Sequence, residues 1–469
     1  MLIDLKEIRY DNKQLENLKE KEFDYIIIGS GPAGVTLCNE ILKKSKKRIL
    51  IIERGNFSEN KLLRIFYKFL PVKLESRVFA VGGTSNTWSN ISSSFDESEM
   101  KQRWTKKNTN LWPLSYSELK KFYNKIDKNF GFNYEEKNNG INIPFKIRKF
   151  YGLNKATNFK NHILYKKISL LYNCQILTID EIHGKSFVSF KFQDNLSRIY
   201  AKKIIISSGG IESTVLVLRS LKEKKLKNIM NKKFVGCYFM DHPKLYLGYL
   251  KYPKMNLIKK LIIKKNENKF SYFGVSLKNN LKKNKKMLNT YVRFENETFY
   301  FNYKRKYLIL FHLLKLLFCR IFNIKKTQFK IRLRAFCEMV PRKNNKISLS
   351  NDTQKIFINY KLCSTSIKTL KCLSSNISQY FSYRPEKESI HKIDRNFIYK
   401  NIEDASHHMG GLAYSKNKNK SIVDKNLKII GTNNIYVCSA AVFPTSGSVN
   451  PTMTLCALAV RLASHLLVK

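Results

Sequence analysis

Three glycines near the start of the chain have the spacing of a dinucleotide-binding turn. Gly29, Gly31 and Gly34 form a G-x-G-x-x-G pattern, and Glu53 follows 19 residues after the last of them. In such a turn the first glycine permits a tight bend, the second lets backbone amides approach a pyrophosphate, and the third lets a helix pack closely on a strand. An acidic residue at the later position accepts hydrogen bonds from ribose hydroxyls. These four residues predict a dinucleotide site, without distinguishing FAD from NAD.

The elements that must position these residues are predicted around them. The run from Asp24 to Ile28 is short, apolar and β-branched, which is typical of a buried parallel strand. Apolar residues then recur at helical spacing from Val35 to Leu42, and lysines follow where a helix C-terminus favours cations. The run from Arg48 to Ile52 predicts a second strand that ends at the acidic residue. This order of strand, turn, helix, second strand and acidic residue indicates a dinucleotide site much more specifically than the glycines alone.

The length of 469 residues is too great for one simple core and predicts two domains. Residues 1–22 carry mixed charges with no apolar signal region. No apolar stretch of about 18 residues follows, so we expect neither a signal peptide nor a membrane span. We therefore expect a cytoplasmic protein.

Nine cysteines are scattered singly between Cys38 and Cys456, with no C-x-x-C pair. An odd number without close spacing argues against a disulfide framework, a zinc site and a dithiol flavoprotein reductase. We expect these cysteines to be small buried apolar residues, and we expect no metal site.

The formal net charge of +52 suggests an anionic partner. The excess is mostly lysine spread along the chain, and no recognisable nucleic-acid module accompanies it. Two interpretations stay open, namely a compositional bias of the whole proteome or contact with an anionic surface such as a membrane. We expect no specific nucleic-acid partner, and a peripheral contact with the inner membrane surface stays one of the expectations.

Two further segments follow the nucleotide-binding unit. AVGGTSNTWSN, residues 80–90, contains Gly82 and Gly83 before small hydroxyl residues, which predicts a loop that a planar ligand can approach closely. LWPLSYSELKKFYNKIDKNFG, residues 111–131, predicts a turn and then an amphipathic helix with Ser117 as its N-cap and Gly131 at its end.

Together, the nucleotide-binding unit, the GGTSNTW loop and the WPLSYSEL segment resemble the glucose-methanol-choline (GMC) oxidoreductase family, whose members are FAD enzymes that oxidise alcohols. Later segments are similar in the same order along the chain: AKKIIISSGGIEST at 201–214, VGCYFMDHPK at 235–244, and EMVPRKNNKISLS at 338–350. The last of these resembles the strand that leads into the family's substrate-domain sheet. Residues 251–334 do not align.

The resemblance implies an α/β fold with an α+β second domain. A Rossmann-like FAD-binding domain would carry an inserted substrate-binding domain of antiparallel sheet and helices. We expect the FAD-binding domain in residues 20–245, interrupted around 95–165 by substrate-side and lid segments. The substrate-binding domain would span 246–400, and residues 401–469 would return to the FAD domain with the catalytic residues.

By this resemblance His407, in ASHHMGGLAYS, aligns with the active-site histidine, and Asn450 aligns with its His-or-Asn partner. An isolated histidine is more often a structural residue than a catalytic one, and we expect His408 to be structural. A neutral imidazole, with an ordinary pKa of about 6.5, suits a base that takes a hydroxyl proton near neutral pH. A side-chain amide can stabilise the developing alkoxide. Pro451 would begin a helix whose positive end faces the flavin.

Within the family, GGTSNTWS and FPTSGSVNPT are most similar to pyranose oxidase and related sugar dehydrogenases. In pyranose oxidase the position of Thr87 holds a histidine linked covalently to FAD. A threonine cannot form that bond, so we expect non-covalent FAD. Ser439 stands where many members have aspartate. The remaining residues expected to bind the cofactor are Gly82, Gly83, Ser89 and Thr452.

The segment from Tyr307 to Lys326 predicts an amphipathic helix that is too interrupted by polar residues to span a bilayer. Two interpretations stay open: the helix docks on the substrate domain, or it lies in an anionic membrane surface with its flanking lysines.

The sequence thus predicts FAD-dependent oxidation of a CH–OH group, in a sugar or polyol, with His407 as base and Asn450 as its partner. The expected partners are this small-molecule substrate and an electron acceptor that the sequence does not specify. One alternative is an NAD(P)-linked flavoprotein reductase, disfavoured by the single glycine motif and the missing dithiol. The other is a flavin- or anion-binding protein at a membrane surface with little turnover.

Overall fold

A computed structural model describes residues 21–57, 65–101, 111–130, 143–153, 158–192, 195–250, 252–262, 264–265, 269–284, 286–296, 317, 321, 331–382 and 392–468. Within these ranges the chain forms two seven-stranded sheets and one three-stranded sheet. All but two residues of the helix predicted at 307–326 lie outside the described residues.

The strands, numbered in chain order, are β1 (Phe23–Ile28), β2 (Ile49–Ile52), β3 (Phe66–Phe69), β4 (Ile91–Ser92), β5 (Phe145–Leu153), β6 (Ser169–Leu171), β7 (Gln175–Ile182), β8 (Lys185–Phe192), β9 (Asn195–Ile206), β10 (Lys244–Leu250), β11 (Lys264–Lys265), β12 (Lys269–Leu277), β13 (Tyr291–Asn296), β14 (Ile331–Phe336), β15 (Lys346–Leu349), β16 (Ile356–Tyr360) and β17 (Ile435–Val437).

The α-helices are α1 (Pro32–Leu42), α2 (Tyr116–Phe130), α3 (Gly209–Lys222), α4 (Met255–Ile258), α5 (Asn279–Asn284), α6 (Ser364–Phe381), α7 (Arg395–Asn401) and α8 (Thr452–Leu467). In the described ranges, no helix has both the length and the apolar character that crossing a membrane requires.

The first sheet is built from distant parts of the chain, in the order β6-β2-β1-β9-β8-β7, with β17 beside β9. Its centre is parallel, because Ile26 of β1 pairs with Leu50 of β2 on one side and with Ile204 of β9 on the other. These strands are buried on both faces, which explains their continuous apolar runs. The strand, helix and strand predicted around the glycine motif are confirmed.

The second sheet is antiparallel, in the order β10-β14-β13-β12-β5-β4, with β11 beside β12. Helix α6 packs against it through residues that recur at helical spacing, including Leu370, Leu373, Ile377 and Phe381. The Phe381 ring stacks on Phe145 of β5, with 5.5 Å between the ring centroids. The two large sheets together give the α/β plus α+β architecture expected from the sequence.

The third sheet joins β15, β16 and β3. The segment at 338–350 was expected to lead into the substrate-domain sheet, but its strand β15 pairs with β16 instead. Strand β3, from much earlier in the chain, then adds in parallel to the other side of β16. This pairing depends on residues almost 300 positions apart, so no local pattern predicts it.

Helix α2 forms where the sequence predicted it, but the predicted N-cap is wrong. The hydroxyl of Ser115, rather than Ser117, accepts a hydrogen bond from the backbone N–H of Glu118 at 3.2 Å. The Glu118 carboxylate in turn accepts from the backbone N–H of Ser115 at 2.8 Å. This reciprocal pair is a capping box, which satisfies two N–H groups that the helix leaves unpaired.

The last helix, α8, runs beside α1 in the same direction. Near its start, Cys456 accepts a hydrogen bond from Thr36 of α1. Near its end, the Leu466 carbonyl accepts from the Tyr25 hydroxyl, at the beginning of β1 and far from the glycine turn. The N-termini of α1 and α8 therefore lie at the same end of the first sheet, which brings the segment before α8 towards the glycine motif.

Candidate active site

The glycine turn leaves open space where a cofactor would lie. A Cβ on Gly34 would stand 2.1 Å from the Gly29 carbonyl oxygen, so this glycine is required by the packing of α1 on β1. A Cβ on Gly31 would meet no protein atom within 4 Å. Gly31 is also the N-cap of α1 and provides no side-chain cap, so the first backbone N–H groups of the helix remain available to an anion.

Glu53 is tied into the same turn. Its Oε2 atom accepts hydrogen bonds from the backbone N–H of Ser30 at 3.0 Å and from the Ser30 hydroxyl at 2.8 Å. Its Oε1 atom accepts from the Gly55 N–H at 3.0 Å. Burial raises the pKa of Glu53 above its ordinary value, while these hydrogen bonds act in the opposite direction. The chain itself therefore satisfies most of the acceptor capacity of this carboxylate.

The loop at 80–90 packs directly on the glycine turn. The Gly82 N–H donates to the Ser30 hydroxyl at 3.0 Å. A Cβ on Gly83 would stand 3.1 Å from the Cα of Gly31. The structure thus brings Gly82 and Gly83 to the same place as Gly29 and Gly31, whereas Thr87 and Ser89, later in the loop, are exposed.

His407 and Asn450 lie side by side, as a shared site requires. The amide Nδ2 of Asn450 is 3.0 Å from Nε2 of His407. Asn450 immediately precedes Pro451, the N-cap of α8, and Thr452 is the first residue of that helix. The other amide atom of Asn450, Oδ1, is buried and has no hydrogen-bond partner in the described part of the chain. A buried acceptor of this kind can accept a hydrogen bond from a water molecule or from a ligand.

On its other side His407 contacts His242, which the sequence analysis did not select. The Nδ1 atoms of the two rings are 3.0 Å apart. Nε2 of His242 lies 2.9 Å from the Ser446 carbonyl oxygen and 3.0 Å from the Gly447 carbonyl oxygen. Because carbonyl oxygens only accept, Nε2 of His242 must carry a hydrogen.

This assignment determines the tautomer of His407. Burial lowers the pKa of His242 to about 4, so its ring is neutral near pH 7 and its Nδ1 is an acceptor. Nδ1 of His407 must then carry the hydrogen that His242 accepts. Burial, and after it the neighbouring His242, holds the pKa of His407 well below its ordinary value, so this ring is neutral too. Its Nε2 therefore presents a lone pair towards Asn450, and the amide N–H donates to it.

Asp241 holds the backbone of the same histidine. Its Oδ1 accepts from the His407 N–H at 2.8 Å, and its Oδ2 accepts from the Ala405 N–H at 3.0 Å. Two backbone hydrogen bonds between Met240 and Met409 align the two segments. The adjacent residues Asp241 and His242 thus position the backbone and the ring of His407, respectively.

His408 forms a separate buried pair with Asp404. Its Nε2 is 3.2 Å from the carboxylate oxygens. Burial alone would lower the pKa of His408, but the Asp404 carboxylate raises it above its ordinary value. Asp241, Asp404 and His408 offer three potential ligand atoms within 4.8 Å of one another. Backbone amides already bind both carboxylates, so hydrogen bonds account for this cluster without a metal ion.

The loop that carries the two carbonyl groups facing His242 is itself held in place. Glu99 Oε1 accepts from the Ser448 N–H at 2.9 Å and from the Ser448 hydroxyl at 2.8 Å. The indole N–H of Trp112 donates to the Thr445 hydroxyl at 2.8 Å. Ser439, which stands where many family members have aspartate, accepts a hydrogen bond from the Ala441 N–H at 3.3 Å. The W-P and D-H-P patterns were visible signals for Trp112 and His242, but their roles depend on contacts between distant segments.

Comparisons with known proteins concern the C-terminal segment and the fold. Residues 347–459, which include His407 and Asn450, match the C-terminal model of the GMC oxidoreductase family. The fold is similar to that of pyridoxine 4-oxidase from Mesorbium loti, with a TM-score of 0.59 and 13% identity over 95% of this chain and 99% of that one.

The fold of this chain is also similar to that of a formate oxidase variant from Aspergillus oryzae RIB40, solved in a study of FAD modification. The TM-score is 0.62, with 13% identity over 96% of this chain and 98% of that one. A search of curated protein sequences finds no match. Residues 347–459 of this chain therefore match the GMC oxidoreductase family, and the described residues have a fold similar to those of two oxidases.

Proposed function

We propose that the protein oxidises the CH–OH group of a sugar or polyol, with His407 as the base and Asn450 as the donor to the substrate oxygen. The observation that carries this proposal is the lone pair on His407 Nε2, beside the Asn450 amide at 3.0 Å. A base with a defined tautomer and a fixed donor next to it are the two groups that abstraction of a hydroxyl proton requires.

A substrate hydroxyl entering between these groups would replace their direct hydrogen bond with two. Its O–H would donate to His407 Nε2, and its oxygen would accept from Asn450 Nδ2. As the proton moves to Nε2, the imidazolium keeps its Nδ1–H bond to His242 and does not need to rotate. Bound FAD would supply the acceptor for the hydride that leaves the same carbon, so that the alcohol becomes a carbonyl compound.

The glycine turn fits the cofactor. We assign the pyrophosphate to the open face of Gly31 and the uncapped N-terminus of α1, with Gly29 and Gly34 shaping the turn. Glu53 would use its remaining acceptor position for a ribose hydroxyl. Gly82 and Gly83 would contact the cofactor from the adjoining loop.

Other residues are assigned to the cofactor on the resemblance alone. Ser89 and Thr452 are proposed as further contacts. Thr87 has no ring nitrogen with which to form a covalent link, so FAD would be held without a covalent bond. The domain division at residues 245 and 400, a cytoplasmic location and a peripheral membrane contact stay predictions of the sequence.

The proposal is tested by anaerobic reduction of the FAD-loaded protein with a panel of sugars, polyols and aliphatic alcohols. Bleaching of the visible flavin spectrum by sugars or polyols, with no bleaching in buffer without added substrate, supports the proposal. Bleaching only by NADH or NADPH would show a nicotinamide-linked reductase instead. The cofactor assignment is checked by acid precipitation, which should release FAD into the supernatant if no covalent bond holds it.

A further inference from the structure

The three-stranded sheet carries a basic pocket that the redox chemistry does not use. The pocket has a volume of about 350 Å³, within the range of small-molecule sites. Four cationic side chains, three asparagines and Phe69 line it, and none of the described carboxylates does. The cations are Lys68, Arg342, Lys346 and Lys361. The pocket shares no residue with the glycine turn or with the site around His407.

Strand register places part of this lining in one row. Lys346 of β15 pairs with Asn359 of β16, and Asn359 pairs with Lys68 of β3. Residues directly opposite each other on neighbouring strands point to the same face, about 5 Å apart. Two lysines from segments far apart in the sequence therefore flank one asparagine amide on the same face.

A third lysine converges on the same place. The Nζ atoms of Lys68 and Lys361 lie 5.3 and 5.1 Å from the centroid of the Phe69 ring. The buried side chain of Asn345 supports Lys361, because its Oδ1 accepts from the Lys361 N–H at 3.2 Å. Phe69 has a φ of 75°, a conformation that is strained for a bulky residue. The aromatic ring thus brings together two ammonium groups that would repel each other.

Among the described residues, no carboxylate supplies the counter-charge. In the described part of the chain, none of the four cations has an ion pair with a carboxylate. A second basic cluster behaves differently, since Lys73, Lys244 and Arg334 all approach Glu403 within 4 Å. Four converging cations and nearby amides suit a group with about two negative charges and several acceptor oxygens, which describes phosphate better than a carboxylate.

We propose that this pocket binds the phosphate group of a ligand, either a soluble phosphate ester or the head group of an anionic lipid. Two aromatic side chains beside the pocket are exposed, namely Phe69 at 45% and Phe357 at 40%. They offer apolar contact to the rest of such a ligand, whichever source provides the phosphate. Binding here would hold the protein or its substrate at a place separate from the reacting carbon.

The test uses the FAD-loaded protein, so that the glycine turn is filled. The pocket variant carries Lys68→Gln and Lys361→Gln, and the control carries Lys44→Gln and Lys46→Gln just after α1. The pocket variant and the control each lose two positive charges, so the non-specific attraction of the protein to anions falls equally in both. Inorganic phosphate is titrated by calorimetry, and flotation is measured with vesicles of phosphatidylcholine containing phosphatidylglycerol.

We expect saturable phosphate binding in the wild type and the control, and affinity at least ~10-fold weaker in the pocket variant, as expected when charge-assisted hydrogen bonds are lost. Flotation that is lost only in the pocket variant identifies a lipid head group as the source. Phosphate binding without flotation identifies a soluble ester. Equal results for the two variants in both assays, or no binding by the wild type, overturn the proposal. Arg342→Gln with Lys346→Gln serves as a second pocket variant if the first does not fold.

Discussion

His242 and His407 are 165 positions apart in the sequence, yet their Nδ1 atoms face each other at 3.0 Å. The two carbonyl groups at Nε2 of His242 determine which ring nitrogen of each histidine carries hydrogen. The same contact leaves Nε2 of His407 free of hydrogen and directed at Asn450. The backbone loop thus determines the tautomer of His407 through the His242 ring between them.

Removing the base should slow flavin reduction without releasing the cofactor. His407→Asn keeps a polar side chain, but an amide cannot take up a proton near neutral pH. We expect the rate of anaerobic flavin reduction to fall by at least ~100-fold, the usual scale of general-base catalysis. His183→Asn, at an exposed turn, is the matched control. Unchanged rates in His407→Asn would exclude this residue as the base.

Substitutions of His242 should separate its hydrogen-bonding role from its volume. His242→Gln can still accept from His407 Nδ1–H through its amide oxygen, whereas His242→Leu cannot. We expect flavin reduction to be about 10-fold slower or more in the leucine variant, with partial recovery in the glutamine variant. Nitrogen NMR of the His407 ring should show hydrogen on Nδ1 in the wild type and a mixture of tautomers in the leucine variant. Equal rates in the two variants would mean that the ring serves only as packing.

The pH dependence of flavin reduction should reflect the lowered pKa of His407. Its burial and the neighbouring His242 disfavour the charged form, so the base stays neutral below its ordinary pKa of about 6.5. We expect the rate to stay constant as the pH falls from 8 through about 6.5 and to decline only at lower pH. A midpoint at or above 6.5 in the rate profile would show that the environment does not lower this pKa.

The second and third glycines of the turn should respond differently to alanine. In Gly31→Ala the added Cβ meets no protein atom within 4 Å, and the φ of −72° is allowed for alanine. We expect the apoprotein to keep its thermal midpoint while FAD affinity falls at least ~10-fold, because the methyl group occupies the approach of the pyrophosphate. Gly34→Ala places a Cβ 2.1 Å from a carbonyl oxygen and should destabilise the fold itself. Equal FAD affinity of Gly31→Ala and the wild type would remove the pyrophosphate from this face.

The pair of His408 and Asp404 should make stability depend on pH. The folded pKa of His408 is raised above its ordinary value, so its contribution is fully present below about pH 6.5 and is lost as the pH rises through the folded pKa. In that interval the folded protein keeps a proton that the unfolded chain has released. The free energy of unfolding should then fall by at most about 1.4 kcal/mol per pH unit from this group.

Equilibrium unfolding in urea, repeated between pH 6 and 9, measures this effect. The difference in unfolding free energy between the wild type and His408→Gln should shrink as the pH increases. A difference that grows with pH would reverse the sign of the interaction and contradict the assignment of an ion pair.

Local sequence patterns were enough to predict the nucleotide-binding unit from β1 to Glu53, since its strands, turn and helix depend on local periodicity and on glycines at defined spacing. They also predicted α2, although the capping residue was Ser115 rather than Ser117. The resemblance to the GMC family placed His407 and Asn450 as candidates, and no local feature would have identified either residue.

How these residues come into contact depends on the folded chain. Asp241 and His242 position His407 because two antiparallel segments pair at Met240 and Met409. The basic pocket exists because β3 adds to a hairpin formed almost 300 residues later. Sequence patterns report the period and polarity of one segment, whereas hydrogen bonds and converging charges between segments depend on distances that only the folded chain defines.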